Sequence, residues 1–288
     1  SWRRYTNGNF TGIRIMGVFQ NNLLAGAAAA ASAGGGSFYS YQIENSARFD
    51  SGSSSYMNQT FSGAGNRRTG TLSAWIKRTG FGSQMLVFNA HINNGDQDQL
   101  FNFLSTDKVT AWFDGANNGD VVTKGAHRDA AGWGHFVLAW DTTQGTASNR
   151  IKWYLNGTQI TDVENYNGSG AAFYPSQDLE FWFNGAYEHA IGRRTAYSGQ
   201  HYFDGYLAEV ISVDGTQYTA SQFGETKNGV WIPKDPSGTS FGTNGFHLKF
   251  ENASDLGNDS SGNNNDFTAN NMGADHQSID TPTTGAGG

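Results

Sequence analysis

Glycoside chemistry needs two carboxylates at a fixed separation, one acting as acid and the other as nucleophile or base. The chain offers two close pairs, Asp178 with Glu180 and Glu209 with Asp214. Alternation along an expected strand puts the first pair on one face, while the second spans a strand end. Hydrogen-bonded or solvated strand carboxylates explain both pairs as well, and no catalytic residue is expected among them. The seven histidines at 91, 127, 135, 189, 201, 247 and 276 show no HExxH or other metal-ligand spacing. The sequence has no cysteine, no G-x-S-x-G elbow, and no glycine loop followed by Gly-Lys-Ser/Thr. These features point to a chain that is not an enzyme. Aromatic rings in expected loops offer different chemistry. Trp112, Tyr166, Tyr174, Tyr187 and Tyr197, with Tyr202 and Trp231, can stack on the apolar faces of sugar rings. The same rings can instead pack against neighbouring subunits.

Short strands separated by turn residues must hold these groups. Residues 71–77, 136–140, 151–155, 179–183, 206–211 and 246–250 alternate with period two or carry strand-forming residues between glycine-rich turns. Phe136, Leu138 and Trp140 share one face, as do Ile151, Trp153 and Leu155, while Lys152 and Tyr154 point away. Trp75, Trp140 and Trp153 are therefore expected in the core. Asn156-Gly157 is a strong hairpin signal, because both residues tolerate positive φ. None of the four prolines lies inside these strands. The pattern predicts an all-β, antiparallel jelly-roll sandwich over 41–272.

The ends differ. Residues 22–36 combine an alanine run of high helix propensity with three terminal glycines. So short a helix needs a partner surface, and 1–40 is read as an anchoring or oligomerisation segment, with a flexible linker as the alternative. Arg3-Arg4, the apolar stretch 13–18 and the small residues 27–33 loosely imitate a signal peptide. The polar 20–22 interrupts it, so the segment is read as part of the working protein. Residues 273–288 read as a linker-like tail.

Eighteen basic and 25 acidic residues give the 288-residue chain a net charge of −7. Its basic pairs at 3–4, 67–68 and 193–194 are too scattered to form a phosphate-binding stripe. Nucleic acid is therefore not an expected partner. No apolar run approaches the ~18 residues of a membrane span, and no insertion is expected. Aromatic residues reach 14%, which excludes disorder for most of the chain.

The strand series resembles laminin-G-like domains at 46–57 (SARFDSGSSSYM), 71–77 (TLSAWIK), 133–141 (WGHFVLAWD), 151–157 (IKWYLNG), 191–192 and 203–210 (FDGYLAEV). A narrower likeness rests on 66–69 (NRRT) with 75–78, 202–206 (YFDGY), 223–225, 242–246 (GTNGF) and 259–263 (DSSGN). Those segments resemble marine-type bacteriophage virion or tail-fibre-like proteins that carry a concanavalin-A-like domain.

The resemblance implies a virion structural protein, assembled as a homo-oligomer, most simply a trimer, with other virion proteins and touching host-surface polysaccharide. A capsid decoration protein without glycan binding and a secreted bacterial polysaccharide-binding protein are the alternatives. Glucanases of this fold carry Glu-x-Asp-x-x-Glu on one strand, and that spacing is absent here. Many relatives bind calcium through loop oxygens, which suits a hard cation taking six to eight ligands. Asp259 and Asp266, joined by Asp50 or Asp255, are the candidate ligands, though Asp-Ser-Gly-Asn clusters are also ordinary turn chemistry. Tyr166, Tyr174, Tyr187, Tyr197 and Trp112 are the candidate glycan contacts.

Overall fold

The computed structural model describes residues 38–92, 98–113, 119–168, 170–195 and 200–284. The segment expected to anchor the chain, with its alanine-rich helix, lies outside these residues except for 38–40. Tyr39–Thr284 forms one compact unit.

Its strands make two large sheets in which every described pairing is antiparallel. The first runs β10 (Thr158–Ile160), β9 (Ile151–Leu155), β8 (Gly134–Asp141), β3 (Thr69–Arg78), β13 (Gly205–Asp214), β1 (Ser46–Phe49), β18 (Gln277–Ser278), with β16 (Phe246–Leu248) also on β13. The second runs β11 (Val163–Glu164), β7 (Gly119–Ala126), β6 (Lys108–Phe113), β5 (Asp98–Phe103), β4 (Met85–His91), β12 (Glu188–Ile191), β2 (Tyr56–Thr60), β17 (Thr268–Asn270). A separate hairpin joins β14 (Gly224–Lys227) to β15 (Val230–Pro233). The described residues contain no helix long and apolar enough to cross a membrane.

Period-two alternation builds the core. Leu72, Ala74 and Ile76 of β3, Phe136, Leu138 and Trp140 of β8, and Ile151 and Trp153 of β9 face one hydrophobic cluster. Phe101 and Phe103 of β5, with Val109, Ala111 and Phe113 of β6, belong to that same cluster. The opposite face of β8 and β9 is also covered. Val137, Ala139 and Tyr154 form a second cluster with Ile211, Val213 and Phe223. Trp75 joins a third with Ile43 and Ala208, so it is buried on the outer side of its strand. The turn at Asn156-Gly157 closes the β9–β10 hairpin with φ of 46° and 81°.

Trp153 also ties the sheets together, because its indole N–H donates to the Val121 carbonyl at 3.1 Å. Trp153→Phe keeps most of the volume but removes that bond between the sheets. It should cost about 0.5–1.5 kcal/mol, read as a lower urea midpoint at unchanged slope.

Two expected elements differ. Residues 179–183 form no strand, although Phe181 and Phe183 are buried and face the main core. Asp178 and Asn184 bracket the segment at φ 61° each, and the N–H groups of Trp182 and Phe183 donate to the Gln99 side-chain oxygen. A side chain thus replaces the neighbouring strand as acceptor, and the segment plugs the core as a loop. The expected tail is the second difference. Within it, β18 pairs with β1, the Asp280 carboxylate accepts from Lys77 (2.7 Å) and the Trp133 indole (3.1 Å), and Thr283 Oγ1 bonds both ways with the Ile43 backbone. Polar side chains rather than apolar burial hold 277–284 against the sandwich, which is why composition suggested a linker.

Candidate functional site

Strand pairing brings two of the expected glycan contacts together. On β6, Ala111 and Phe113 face the core, so Trp112 between them points to the outer face of its sheet. Its cross-strand neighbour on β7 is Asp120. The chain leaves β11 at Glu164, two residues before Tyr166, whose backbone N–H donates to Asp120 Oδ2 at 3.0 Å. That bond seats the Tyr166 ring edge-on to Trp112, with centroids 5.2 Å apart and planes at 81°. Tyr166 is 47% exposed, and Phe173, whose N–H donates to the Asp120 carbonyl at 2.9 Å, is 54% exposed.

Asp120 is the residue that the sequence did not single out. Its Oδ1 is buried with no hydrogen-bond partner, and burial pushes the carboxyl up against the opposing effect of the Tyr166 and Phe173 N–H groups. The outer face continues in kind. Thr110 Oγ1 and both side-chain ends of its cross-strand neighbour Asn102 are likewise buried without partners. Unsatisfied groups of this sort cost about 1–3 kcal/mol each. They call for an occupant such as water or a ligand. Asp-Val-Val at 120–122 carries no sequence signal beyond an ordinary strand. Only the pairing with Trp112 exposes its relevance.

The other expected contacts lie elsewhere. Tyr174 and Tyr187 are half-buried against the core, and the Arg67 guanidinium sits 5.6 Å from the Tyr187 ring centroid. Tyr197 lies outside the described residues. Trp231, expected in a loop, sits on β15, where its indole donates to His135 Nδ1 at 3.1 Å and the two rings stack.

Of the paired carboxylates, Glu180, Glu209 and Asp214 are engaged structurally, while Asp178 is exposed. Glu180 binds Arg67 (3.0 Å) and Arg68 (3.3 Å). Glu209, at φ 48° in the β13 bulge, accepts from Tyr41 (3.2 Å) and lies 2.6 Å from His247 Nε2. Asp214 accepts the N–H groups of Asn66 and Asn244.

The loop expected to hold calcium does not fit the ion. Asp259 Oδ1 accepts from the His247 and Ser261 N–H groups, and Oδ2 accepts from the Ser261 hydroxyl and Asn265 N–H, all at 2.8–2.9 Å. Asp266 Oδ1 accepts the Asp259 N–H. Asp50 closes its own turn through Gly52 N–H and lies 3.7 Å from Arg48. With both Asp259 oxygens spent on donors, too few lone pairs remain for six to eight ligands. Among the described residues no group of three or more acidic or histidine side chains is placed to hold a metal.

Comparison with known proteins follows the fold. A candidate carbohydrate-binding protein from Bacteroides ovatus superposes with a TM-score of 0.52 at 16% identity, covering 80% of this chain and 59% of its own. The chain thus spans little more than half that protein's length. A heptameric SAP-like pentraxin from Limulus polyphemus gives 0.42 at 14% identity, covering 64% of this chain and 82% of its own. Domains LG4-5 of the mouse laminin alpha1 chain give 0.39 at 11%, covering 60% and 42%. No curated protein sequence matches the chain. Residues 50–222 match the laminin-G family model described as the concanavalin A-like lectin/glucanases superfamily, and the chain belongs to that family.

Proposed function

We propose that the chain is a non-enzymatic, lectin-like component of a phage virion, a fibre or appendage protein whose sandwich contacts host-surface polysaccharide. The observation that carries the glycan reading is the exposed Trp112–Tyr166 pair seated on a carboxylate with one unpartnered oxygen. Rings present an apolar face to a sugar, and Asp120 supplies an acceptor for a hydroxyl. The virion reading rests on the resemblance of the segments at 66–69, 202–206, 242–246 and 259–263 to phage proteins. Several copies on one appendage, in the simplest case three, raise weak single-site binding through avidity.

The test is affinity electrophoresis of the full chain through a panel of purified bacterial surface polysaccharides, with virion immunolabelling beside it. At least one polysaccharide should retard the protein. Trp112→Ala should weaken that retardation at least tenfold, the equivalent of about 1.4 kcal/mol. Asp120→Asn should weaken it too, with the fold intact by circular dichroism. Retardation unchanged by Trp112→Ala would sink the surface assigned here. Label confined to cells or medium would discard the virion reading.

A further inference from the structure

Trp112, Asp120 and Phe173 stand in one cross-strand row. Asp120 is the neighbour of Trp112 on one side and bridges antiparallel to Phe173 on the other. Directly opposed residues of antiparallel segments leave the same face, so both rings rise from the outer face beside the carboxylate. Tyr166 adds a third ring, edge-on to Trp112 and tied to Asp120 by its own N–H.

The basic groups nearby do not cancel the charge on Asp120. Lys108 is paired with Glu164, and Lys124 with Asp162 at 2.6 Å. Among the described residues, only burial and the N–H groups of Tyr166 and Phe173 act on the Asp120 carboxyl, and no cationic side chain does. An incoming cation would stabilise its ionised form. The carboxylate is nonetheless a poor hydrogen-bonding surface, because Tyr166 occupies Oδ2 and Oδ1 is enclosed. It offers charge at short range and little else.

That combination selects among cations. A primary ammonium brings three N–H donors that need acceptors, whereas a trimethylammonium group needs none. Its methyl groups pack on ring faces, and a cation–π contact forms within about 6 Å of a ring centroid. The backbones carrying Trp112 and Phe173 lie roughly 10 Å apart, two strand spacings. A group seated over Asp120 is therefore within reach of both rings.

We propose that this three-ring cluster takes a trimethylammonium group of the choline type, carried as a substituent on the surface polysaccharide. The inference rests on the reading of the Trp112–Tyr166 surface as a glycan contact, and it names the group which that surface selects. The rings surround the methyl groups, and Asp120 supplies the opposite charge.

Isothermal titration of the full chain tests it with choline, ethanolamine and the uncharged isostere of choline that carries a tert-butyl group instead of trimethylammonium. Choline should bind at least tenfold more tightly than either of the others. Asp120→Asn keeps the shape and removes the charge, and it should weaken choline at least tenfold with the circular dichroism unchanged. Phe173→Ala, at an exposed ring, should weaken it too. Choline should also release the chain from a polysaccharide that retards it. Equal binding of the isostere, tighter binding of ethanolamine, indifference to Asp120→Asn, or no heat from choline at about 10 mM would overturn the cation. Any of these beside retardation that still depends on Trp112 would leave the glycan surface standing, whereas retardation indifferent to Trp112→Ala removes the surface itself.

Discussion

Asp107→Ala will lower the unfolding free energy by about 3–5 kcal/mol, the usual cost of removing one partner from a buried ion pair. The carboxylate is 2% exposed and accepts from Arg78, Gly82 and Arg128. Burial pushes its carboxyl up, yet the hydrogen bonds from Arg128, Gly82 and Arg78 outweigh that and hold it down at about 2. Removing it leaves the Arg78 guanidinium charged and enclosed. A second cost is local: Asp107 sits at φ 62°, where alanine is strained by roughly 1–2 kcal/mol. Asp107→Asn removes the charge but tolerates that backbone, so the difference between the two variants separates charge from strain. Urea unfolding followed by tryptophan fluorescence reads both. A loss under about 1 kcal/mol for Asp107→Ala would mean that the cluster is solvated and contributes little.

Acidification is the second large effect. His135 is enclosed between Trp75 and Trp231, accepts the indole N–H at Nδ1 and donates Nε2–H to Ser73 Oγ at 2.8 Å. Burial drives its pKa down to about 3. His189 packs on Phe61 and Phe88 and donates Nδ1–H to the Tyr187 carbonyl, and burial, partly offset by the Tyr187 and Trp182 carbonyls, holds it at about 4.

Both folded-state values lie below the unfolded value near 6.5, so the unfolded chain binds more protons in between. Stability is full above pH 6.5 and falls with pH until the folded values are reached. Each group contributes about 1.4 kcal/mol per pH unit. From pH 7 to pH 4.5 the two together should cost about 5 kcal/mol. Asp107, held near 2, begins to weaken the fold as pH falls through the ordinary carboxylate value of 3.8, just below this window. Urea midpoints at pH 7.5, 6.0 and 4.5 give the slope, and His189→Gln should remove about half of it. A flat profile over that interval would show that both rings are hydrated.

Much of the sandwich was legible from alternation, because residues i and i+2 of a strand share a face whatever lies beyond it. Trp140, at 0% exposure, and Trp153, at 1%, are core for that reason, and Asn156-Gly157 turns where its backbone tolerance says it must. The rule failed at 179–183. There Phe181, Trp182 and Phe183 are all buried, and the acceptor for two of their N–H groups is the Gln99 side chain, 83 and 84 residues earlier in the sequence. It failed again at 277–284, where hydrogen bonds to Lys77, Trp133 and Ile43 do what apolar burial does elsewhere.

The sites show the same division. Residue type alone nominated Trp112 and Tyr166, since aromatic rings are chemically distinctive, although Trp112 sits on β6 and not in the expected loop. It also nominated Asp259, whose oxygens the fold spends on its own turn. Asp120 beneath the aromatic pair, and Arg78 sharing Asp107 with Arg128, were invisible because their partners come from other strands and distant turns. The sequence by itself determined the strand alternation, the hairpin, the aromatic core and the absence of thiol and phosphate-loop chemistry, all consequences of local spacing or composition. Only the tertiary structure decided which polar atoms are left without partners. Hydrogen-bond satisfaction is settled between strands far apart in the chain, so no local spacing reveals it.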